Sequence, residues 1–315
     1  MNKFKYNLKK PFGILFHHFH NEGTQPTGSG SITPHQLQSI IKLVGRTNIV
    51  NAKSWTEKLI NNNFTGFEIC LTFDDAINSQ IKVALPVLEK ESITAFWFIQ
   101  SGQYFGKKIY LEIYRYFYNK YFTDFESFYN LFKDTIKHSK YSKLINDRIR
   151  AFDLNKYLIE YEFYSDIEKE YRFIRDRILN ENQFNTLMHQ VISIRGIKIN
   201  DMTTDLWMKE EDIGYLARTG HMIGLHSFSH PLNFKSLSYS QQREEYEKNY
   251  NHLLSLTGNK PISMAHPSNS YNSDTLTLLQ NMEIKFGFRG HSKSDFFSSL
   301  EYPRIDSTTL LKAID

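Results

Sequence analysis

The chain has 315 residues, of which 40% are hydrophobic and 23% are charged, with only 15 glycines and 8 prolines. This composition excludes disordered and collagen-like chains and predicts a globular protein of one large domain or two modest ones. The net charge is +4, and the 38 basic and 34 acidic residues are interleaved along the sequence. We therefore expect no nucleic-acid partner, because such a binder usually concentrates lysine and arginine on one face or arm.

The sequence also bears on the cellular compartment. Cys70 is the only cysteine, so no intrachain disulfide can form, as is usual in a reducing environment. The apolar segment 12–16 is shorter than the ~7 to 15 residues of a secretory signal core, and no later stretch approaches the ~20 apolar residues of a membrane span. We expect a cytoplasmic protein without stable membrane insertion.

The first elements predicted in chain order are a strand and a helix. Residues 13–16 form a short apolar run of strand length. Thr33 and Gln36 fit a capping box, and Pro34 stands where the first turn of a helix tolerates proline. A helix is therefore expected to begin at Pro34.

A strand–helix–strand unit follows. Residues 69–73 and 94–99 are continuous apolar runs, as expected of parallel strands that are covered on both faces. Between them, Asn78 is a suitable helix cap. The helix has one apolar stripe, made of Ile81, Ala84, Leu85 and Leu88. This pattern predicts a parallel sheet with covering helices.

Residues 103–206 have a different character. They contain 22 of the 47 aromatic residues, mostly Tyr and Phe mixed with charged residues. Aromatic positions recur at helical spacing, as at Tyr110, Tyr114, Phe117 and Tyr121. We expect a helical insertion whose aromatic residues form a core of their own, and a lid or a homo-oligomer surface is the alternative.

The alternation of helix and strand resumes after the insertion. Residues 208–219 predict a helix with acidic residues in its first turn and Gly220 at its end. The strand 221–225 follows, and the same rhythm continues through the strand 263–266 and the helix 273–282. The last third of the chain therefore repeats the α/β pattern of the first.

Two adjacent carboxylates, Asp74 and Asp75, directly follow the apolar strand 69–73. Charge at the end of a buried strand costs desolvation free energy unless a metal ion or a substrate compensates it. Neighbouring side chains of a strand point in different directions, so one acid can bind a metal while the other handles protons. The alternative is a strand-end turn with solvated acids, or a helix cap.

His226 and His230 also follow a predicted strand. Histidines four residues apart share one face of a helical turn, which suits two imidazoles that meet one ion. The alternative is two ordinary surface histidines. With one carboxylate they make a set of two imidazoles and one acid, which leaves open positions on zinc or iron for water and substrate.

These motifs resemble those of a known family. LTFDDA at 71–76 and HSFSH at 226–230 are similar to the first two motifs of the polysaccharide deacetylase (NodB-homology) family, carbohydrate esterase family four. ILFHH at 14–18 resembles the family's opening strand, and AHPSNSYN at 265–272 resembles a form of its third motif. The resemblance covers the parts of the chain outside the insertion.

The resemblance implies an α/β fold, a distorted (β/α) barrel of the polysaccharide deacetylase type. Residues 1–102 and 207–315 would form this barrel, and residues 103–206 would be the helical insertion. Sites of such barrels lie on loops after the C-terminal ends of strands. Both motifs fall at such strand ends in the pattern described above.

The resemblance also implies a division of roles. Asp74 matches the family's general base and Asp75 its metal-binding acid, and the two histidine ligands would be His226 and His230. The implied cofactor is a divalent metal ion. Zinc is the expected ion, with Co, Ni, Mn or Fe as alternatives.

The sequence departs from the family pattern at several positions. Ala76 replaces the glycine that usually follows the two acids, which is tolerable where φ is negative. Ala265 stands at the position of the common arginine of the third motif. From that motif, His266, Asn269 and Tyr271 are expected to bind substrate.

A catalytic acid is not evident, because the late Leu-x-His motif that supplies it in the family is not apparent after the third motif. Four side chains are candidates instead, namely His18, His266, His291 and Arg304. A structural, hydrogen-bonded role is the alternative for each of them.

Together these features predict a metal-dependent amide hydrolase that removes an N-acetyl or other N-acyl group from an amino sugar. Without an export signal or an appended binding domain, we expect an intracellular activated substrate, such as a sugar nucleotide used in surface-glycan synthesis. One alternative is a hydrolase of another C–N bond, because a fold alone does not choose a substrate. The other is a non-catalytic carbohydrate-binding protein of the same fold.

Overall fold

The computed structural model of the chain describes residues 11–21, 23, 26–66, 68–159, 164–290 and 298–314. The chain divides into two compact units. One consists of Met1–Gln25, Ser31–Ile109 and Trp207–Asp315, and the other of Pro26–Gly30 and Tyr110–Leu206. Residues 103–109 are therefore part of the first unit.

The described residues of the first unit form seven strands. They are β1 (Phe12–Phe16), β2 (Ile69–Asp74), β3 (Phe96–Ile99), β4 (Met222–Leu225), β5 (Ser263–Ala265), β6 (Phe286–Phe288) and β7 (Arg304–Asp306). All pairs are parallel, in the order β6-β5-β4-β3-β2-β1-β7. Tyr302, just before β7, also pairs with Phe288 of β6, so the sheet nearly closes. The predicted (β/α) barrel is confirmed.

The barrel interior is filled by aromatic rings. Phe96 and Phe98 of β3 contact Phe286 and Phe288 of β6, although two strands separate β3 from β6 in the sheet. Rings from non-neighbouring strands can meet in this way only across the inside of the barrel. The indole of Trp55 packs against the same cluster. The other side chains of these strands point outward and pack against the surrounding helices. The strands are therefore covered on both faces, as their continuous apolar runs predicted.

Helices cover the outside of the barrel and make up the second unit. In chain order they are α1 (Pro34–Val44), α2 (Ala52–Ile60), α3 (Leu85–Lys90), α4 (Tyr110–Tyr121), α5 (Phe125–Lys137), α6 (Ser142–Arg150), α7 (Asp166–Phe173), α8 (Glu181–Ile194), α9 (Ile199–Thr203), α10 (Glu210–Arg218), α11 (Tyr239–Thr257), α12 (Ser273–Asn281) and α13 (Ser307–Leu311). A membrane-crossing helix, which would have to be long and apolar, does not occur among the described residues.

Local signals placed most helix boundaries well. The capping box at the start of α1 is confirmed, because Gln36 N donates to Thr33 Oγ1 and Thr33 N donates to Gln36 Oε1. The helix expected after Asn78 differs from a regular α-helix in its first turns, since Gln80–Ala84 form a π-helical turn that continues into α3. α10 ends before Gly220, which has φ +92 and therefore needs the conformational freedom of glycine.

The second unit packs its aromatic residues against one another. The ring of Tyr171 lies 5.3 Å from Phe128, 5.2 Å from Phe132 and 5.5 Å from Phe184. All four side chains are buried. Edge-on and tilted ring pairs of this kind add to the free energy of burying apolar area, so the aromatic-rich composition gives this unit a core of its own.

His221 is a buried, neutral histidine at the start of β4. Its Nδ1 accepts hydrogen bonds from Ala95 N at 3.0 Å and from the Trp97 indole Nε1 at 2.9 Å. Burial lowers the pKa of His221 to about 4. The unfolded histidine, with a pKa of about 6.5, gains its proton well before the folded one does, so stability must fall as the pH falls between these values.

We predict that wild-type protein loses about 2 kcal/mol more of its unfolding free energy between pH 7 and pH 4.5 than the His221→Asn variant does. Asparagine places an amide oxygen near the position of Nδ1 but does not titrate. Urea denaturation of both proteins at the two pH values measures the difference. Equal losses in the two proteins would contradict the assignment.

Candidate active site

The two adjacent carboxylates lie where β2 leaves the barrel. Asp74 is the last residue of β2, and its side chain points to the barrel interior. Asp75 has φ +76, so the chain turns sharply directly after the strand. Its N–H donates to Phe98 O on neighbouring β3 at 3.2 Å, which fixes this turn. The two carboxylates are both buried, and each has an oxygen within 3.8 Å of Nε2 of His226.

Three side chains converge next to this turn. Oδ1 of Asp75 lies 3.3 Å from Nε2 of His226 and 3.4 Å from Nε2 of His230. One ligand atom from each residue lies within 4.8 Å of the others. Ligands at about 2.0 to 2.1 Å from a tetrahedral zinc ion are about 3.3 Å apart, so the two measured spacings fit such a centre.

The charge balance of this cluster also fits a cation. Among the described residues, none donates a hydrogen bond to the buried Oδ1 of Asp75. A buried carboxylate oxygen without a donor is costly unless a positive charge compensates it. Nδ1 of His226 donates to Ala265 O at 2.9 Å, which turns Nε2 toward Asp75. Metal-binding histidines are commonly fixed by such a hydrogen bond.

The segment that carries the two histidines is a loop. Residues 226–230 follow β4 without helical hydrogen bonding, and Ser227 and His230 have φ values of +62 and +50. The expectation of a shared helical turn is therefore wrong, although the two imidazoles do meet. Ser227 Oγ accepts a hydrogen bond from His230 N at 3.1 Å, which bends the loop back toward the strand.

Asp74 is held by a buried arginine. Nη1 of Arg304, on β7, donates to Oδ1 of Asp74 at 2.8 Å, and its Nε donates to Arg289 O at 2.9 Å. Burial alone would raise the pKa of Asp74, but the Arg304 guanidinium, together with the imidazoles of His226 and His17, holds the pKa below its usual value. Gly13 leaves room for this arginine, since a Cβ there would lie 3.2 Å from Arg304 Cγ.

Arg304 therefore has a different role from the one that the sequence suggested. It was expected among the candidates for the catalytic acid, but its guanidinium is a permanent cation paired with Asp74. The third motif has Ala265 where the family commonly has arginine, and the positive charge near Asp74 comes from β7 instead. Only the closure of the barrel brings these two strand ends together.

His17 is a site residue that the sequence analysis missed. Its Nε2 lies 3.8 Å from Oδ2 of Asp75 and 4.0 Å from Oδ2 of Asp74, and its side chain is 33% exposed. Phe16 of β1 pairs with Phe73 of β2, so the residues that follow them, His17 and Asp74, lie side by side. The signal was the double histidine of ILFHH, but only the register decides which of the two faces the acids.

The other predicted acids have different surroundings. The ring of His18 stacks on that of His17 with a centroid distance of 5.9 Å. His291 lies outside the described residues. His266 is buried, its ring is stacked on Tyr271 at 3.9 Å, and its Nε2 donates to Leu300 O at 2.9 Å. Burial lowers the pKa of His266 to about 3, so this imidazole is neutral.

The remaining third-motif residues, Asn269 and Tyr271, form hydrogen bonds within the loops after β5 and β6. Asn269 accepts a hydrogen bond from Gly290 N at 2.7 Å through its Oδ1. The hydroxyl of Tyr271 donates to Oε1 of Glu301 at 2.8 Å. Each side chain thus has a protein partner near the carboxyl ends of the strands, on the same side of the barrel as the two acids.

Ala76 has the backbone conformation that favours glycine, the residue usual at this position in the family. Its φ is +54, not the negative value at which alanine is easily tolerated, and it is fully buried. Its carbonyl accepts a hydrogen bond from Met208 N at 2.9 Å. A non-glycine residue in this region costs of order 1 to 3 kcal/mol, so the surrounding structure holds strain directly beside the carboxylates.

In parallel (β/α) barrels the functional side chains lie at the carboxyl ends of the strands, which is where the acids and histidines of this chain gather. Residues 177–287 match the family model described as polysaccharide deacetylase. This match includes the His226 and His230 motif, and it confirms the resemblance to the polysaccharide deacetylases that the motifs indicated. It supports a deacetylase that acts on carbohydrate.

Solved structures show the same fold. The Streptococcus pyogenes deacetylase PplD, in complex with acetate, is 14% identical, with 97% of this chain and 98% of that chain covered and a TM-score of 0.54. IcaB from Ammonifex degensii is 12% identical, with 97% of this chain and 95% of that chain covered and a TM-score of 0.55. A de-N-acetylase from Aggregatibacter actinomycetemcomitans is 11% identical, with 97% of this chain and 99% of that chain covered and a TM-score of 0.54. A search of curated proteins found no match.

We predict that Arg304→Met lowers the unfolding free energy by about 3 kcal/mol, because it leaves the buried Asp74 carboxylate without its partner. In an Asp74→Asn background the same substitution should cost clearly less. Urea denaturation of the wild type, the two single variants and the double variant measures the coupling. Costs that simply add, within about 0.5 kcal/mol, would contradict a coupled buried pair.

Proposed function

We propose that the protein is a metal-dependent hydrolase that removes an N-acetyl, or another N-acyl, group from an amino sugar. One observation carries the proposal: Asp75, His226 and His230 bring three ligand atoms together beside a second carboxylate that a buried arginine keeps ionised. The match to the polysaccharide deacetylase model supports the choice of an acylated carbohydrate as the substrate.

Asp75, His226 and His230 are the residues that would hold the metal ion. A donor set of one carboxylate and two imidazoles suits zinc, which we take as the ion, and also suits Co, Ni, Mn or Fe. When bound, such an ion lowers the pKa of a coordinated water toward about 7 and polarises the acyl carbonyl.

Asp74 is the proposed general base. Its Oδ1 is occupied by the Arg304 guanidinium, whereas its Oδ2 faces the ligand cluster, 3.8 Å from Nε2 of His226. The depressed pKa keeps Asp74 ionised at neutral pH, so Oδ2 is ready to accept the proton of the attacking water. Arg304 acts on this step by holding the carboxylate in place and in its charged form.

His17 is the group that we assign to protonate the departing amine. It lies within 4.0 Å of both carboxylates, and it is the more exposed partner in each of these contacts. The 33% exposed imidazole of His17 can take up a proton from solvent and pass it to the leaving nitrogen, which suits it to this role. Of the candidates from the sequence, Arg304 is already paired and His266 is buried and neutral.

For the particular substrate, we keep the class that the sequence analysis expects. We propose an activated, intracellular amino sugar such as a sugar nucleotide used in surface-glycan synthesis. Asn269 and Tyr271 would line its binding site through the loops after β5, whereas the buried His266 would act only through the Tyr271 ring that stacks on it. Chitooligosaccharides represent the alternative class of polymeric substrates, so the assay below contains both.

We predict that zinc-loaded wild-type protein releases acetate from N-acetylated sugar nucleotides, and that Asp74→Asn lowers the rate at least 100-fold while zinc remains bound. Acetate is quantified enzymatically and bound zinc by elemental analysis. Parallel reactions contain N-formylated sugar nucleotides and chitooligosaccharides. Turnover of the oligosaccharides alone would reject the activated sugar but keep the deacetylase. Zinc binding without release of any acyl group would reject catalysis and favour a carbohydrate-binding protein.

We further predict that His17→Gln lowers kcat at least 100-fold with zinc affinity unchanged within threefold, because it removes the proposed proton donor and none of the ligands. His18→Gln is the matched control, since it removes the neighbouring imidazole that stacks on His17. Steady-state acetate release measures both variants. A large loss in His18→Gln with normal turnover in His17→Gln would reverse the assignment.

A further inference from the structure

The loop between the two histidine ligands has a backbone conformation that needs support. It consists of Ser227, Phe228 and Ser229, and positive φ values occur at Ser227 and at His230. Neither residue is glycine, so this conformation persists only where other contacts hold it. The angle between the two imidazoles depends on this short segment, because both are attached to its ends.

Glu245 of α11 supplies such contacts. Its Oε2 accepts hydrogen bonds from Phe228 N at 3.0 Å and from Ser229 N at 2.7 Å. Its Oε1 accepts a hydrogen bond from Ser229 Oγ at 2.6 Å. One carboxylate thus binds three donors in two consecutive residues, and hydrogen bonds to a charged acceptor are the stronger kind.

Two further contacts fix the same loop from other sides. Asn249 stands four residues after Glu245 and so lies on the same face of α11, and its Oδ1 accepts from His226 N at 2.9 Å. Gly102 N donates to Phe228 O at 2.6 Å, and a Cβ on Gly102 would lie 2.7 Å from that oxygen. The loop therefore rests on α11 with little freedom to shift.

We propose that Glu245 is a positioning residue of the metal centre: it binds the loop so that His226 and His230 are held in the geometry in which both face Asp75. Glu245 touches neither the ion nor the substrate. The inference rests on the proposed metal site, and it adds a residue outside every motif of the sequence analysis. Partners that orient metal ligands typically change metal affinity 10- to 100-fold when they are removed.

The test compares Zn²⁺ affinity in Glu245→Gln, Ser229→Ala and Glu247→Gln with that of the wild type, by competition with a chelator. A glutamine in place of Glu245 cannot accept all three hydrogen bonds, so we expect about 10- to 100-fold weaker binding. Ser229→Ala removes one of the three and should weaken binding less. Glu247→Gln is the control, because it removes the same charge from α11 where Glu247 pairs with Arg243 on the surface. Its affinity should stay within twofold of wild type.

Co²⁺-loaded protein gives a second readout that general destabilisation would not produce. A change in the visible absorption of Co²⁺ in Glu245→Gln, at a temperature where thermal melting shows the protein folded, would indicate altered ligand geometry. If Glu245→Gln does not fold, Ser229→Ala decides the question. Wild-type affinity and spectrum in both variants would overturn the inference. Failure of the proposed metal site would be a separate result. It would be seen if the wild type bound no Zn²⁺, or if Zn²⁺ binding survived Asp75→Asn.

Discussion

The ion pair between Arg304 and Asp74 is the constraint on which the site depends. Both side chains are almost fully buried, and each would be very costly to bury alone. The pairing holds the Asp74 carboxylate at the mouth of an aromatic barrel, where Phe98 lies against the guanidinium. The pair also joins β7 to β2, which lie on either side of β1, so the chemistry and the closure of the barrel rest on the same contact.

Much of this arrangement could be predicted from the sequence, because it depends on local patterns. Apolar runs gave the strands, and the acids and histidines that follow them had to meet once the strands were parallel. What could not be predicted depends on register and closure. The choice between His17 and His18 follows from the pairing of β1 with β2. The partner of Asp74 follows from the position of β7, 230 residues further along the chain.

Backbone strain is concentrated where the functional side chains leave the barrel. Asp75, Ala76, Ser227, His230 and Asn269 all have positive φ, and none is glycine. Such conformations are stable only where packing and hydrogen bonds over-determine them, as the buried turn after β2 and the loop on α11 show. Sequence patterns describe ordinary conformations, which is why the histidine pair was expected on a helical turn and why the strain at Ala76 could not be predicted.

The position of Arg304 changes how the third motif should be understood. Alanine at position 265 replaces the arginine that is common in this motif, a departure that by itself is compatible with a non-catalytic protein. Ala265 nevertheless takes part in the site, because its carbonyl orients His226. Asp74 has an arginine partner from another strand, since an electrostatic partner is defined by its distance and burial and not by its place in the sequence. The altered motif therefore does not argue against catalysis, which then depends on the proton donor at the exposed side of the site.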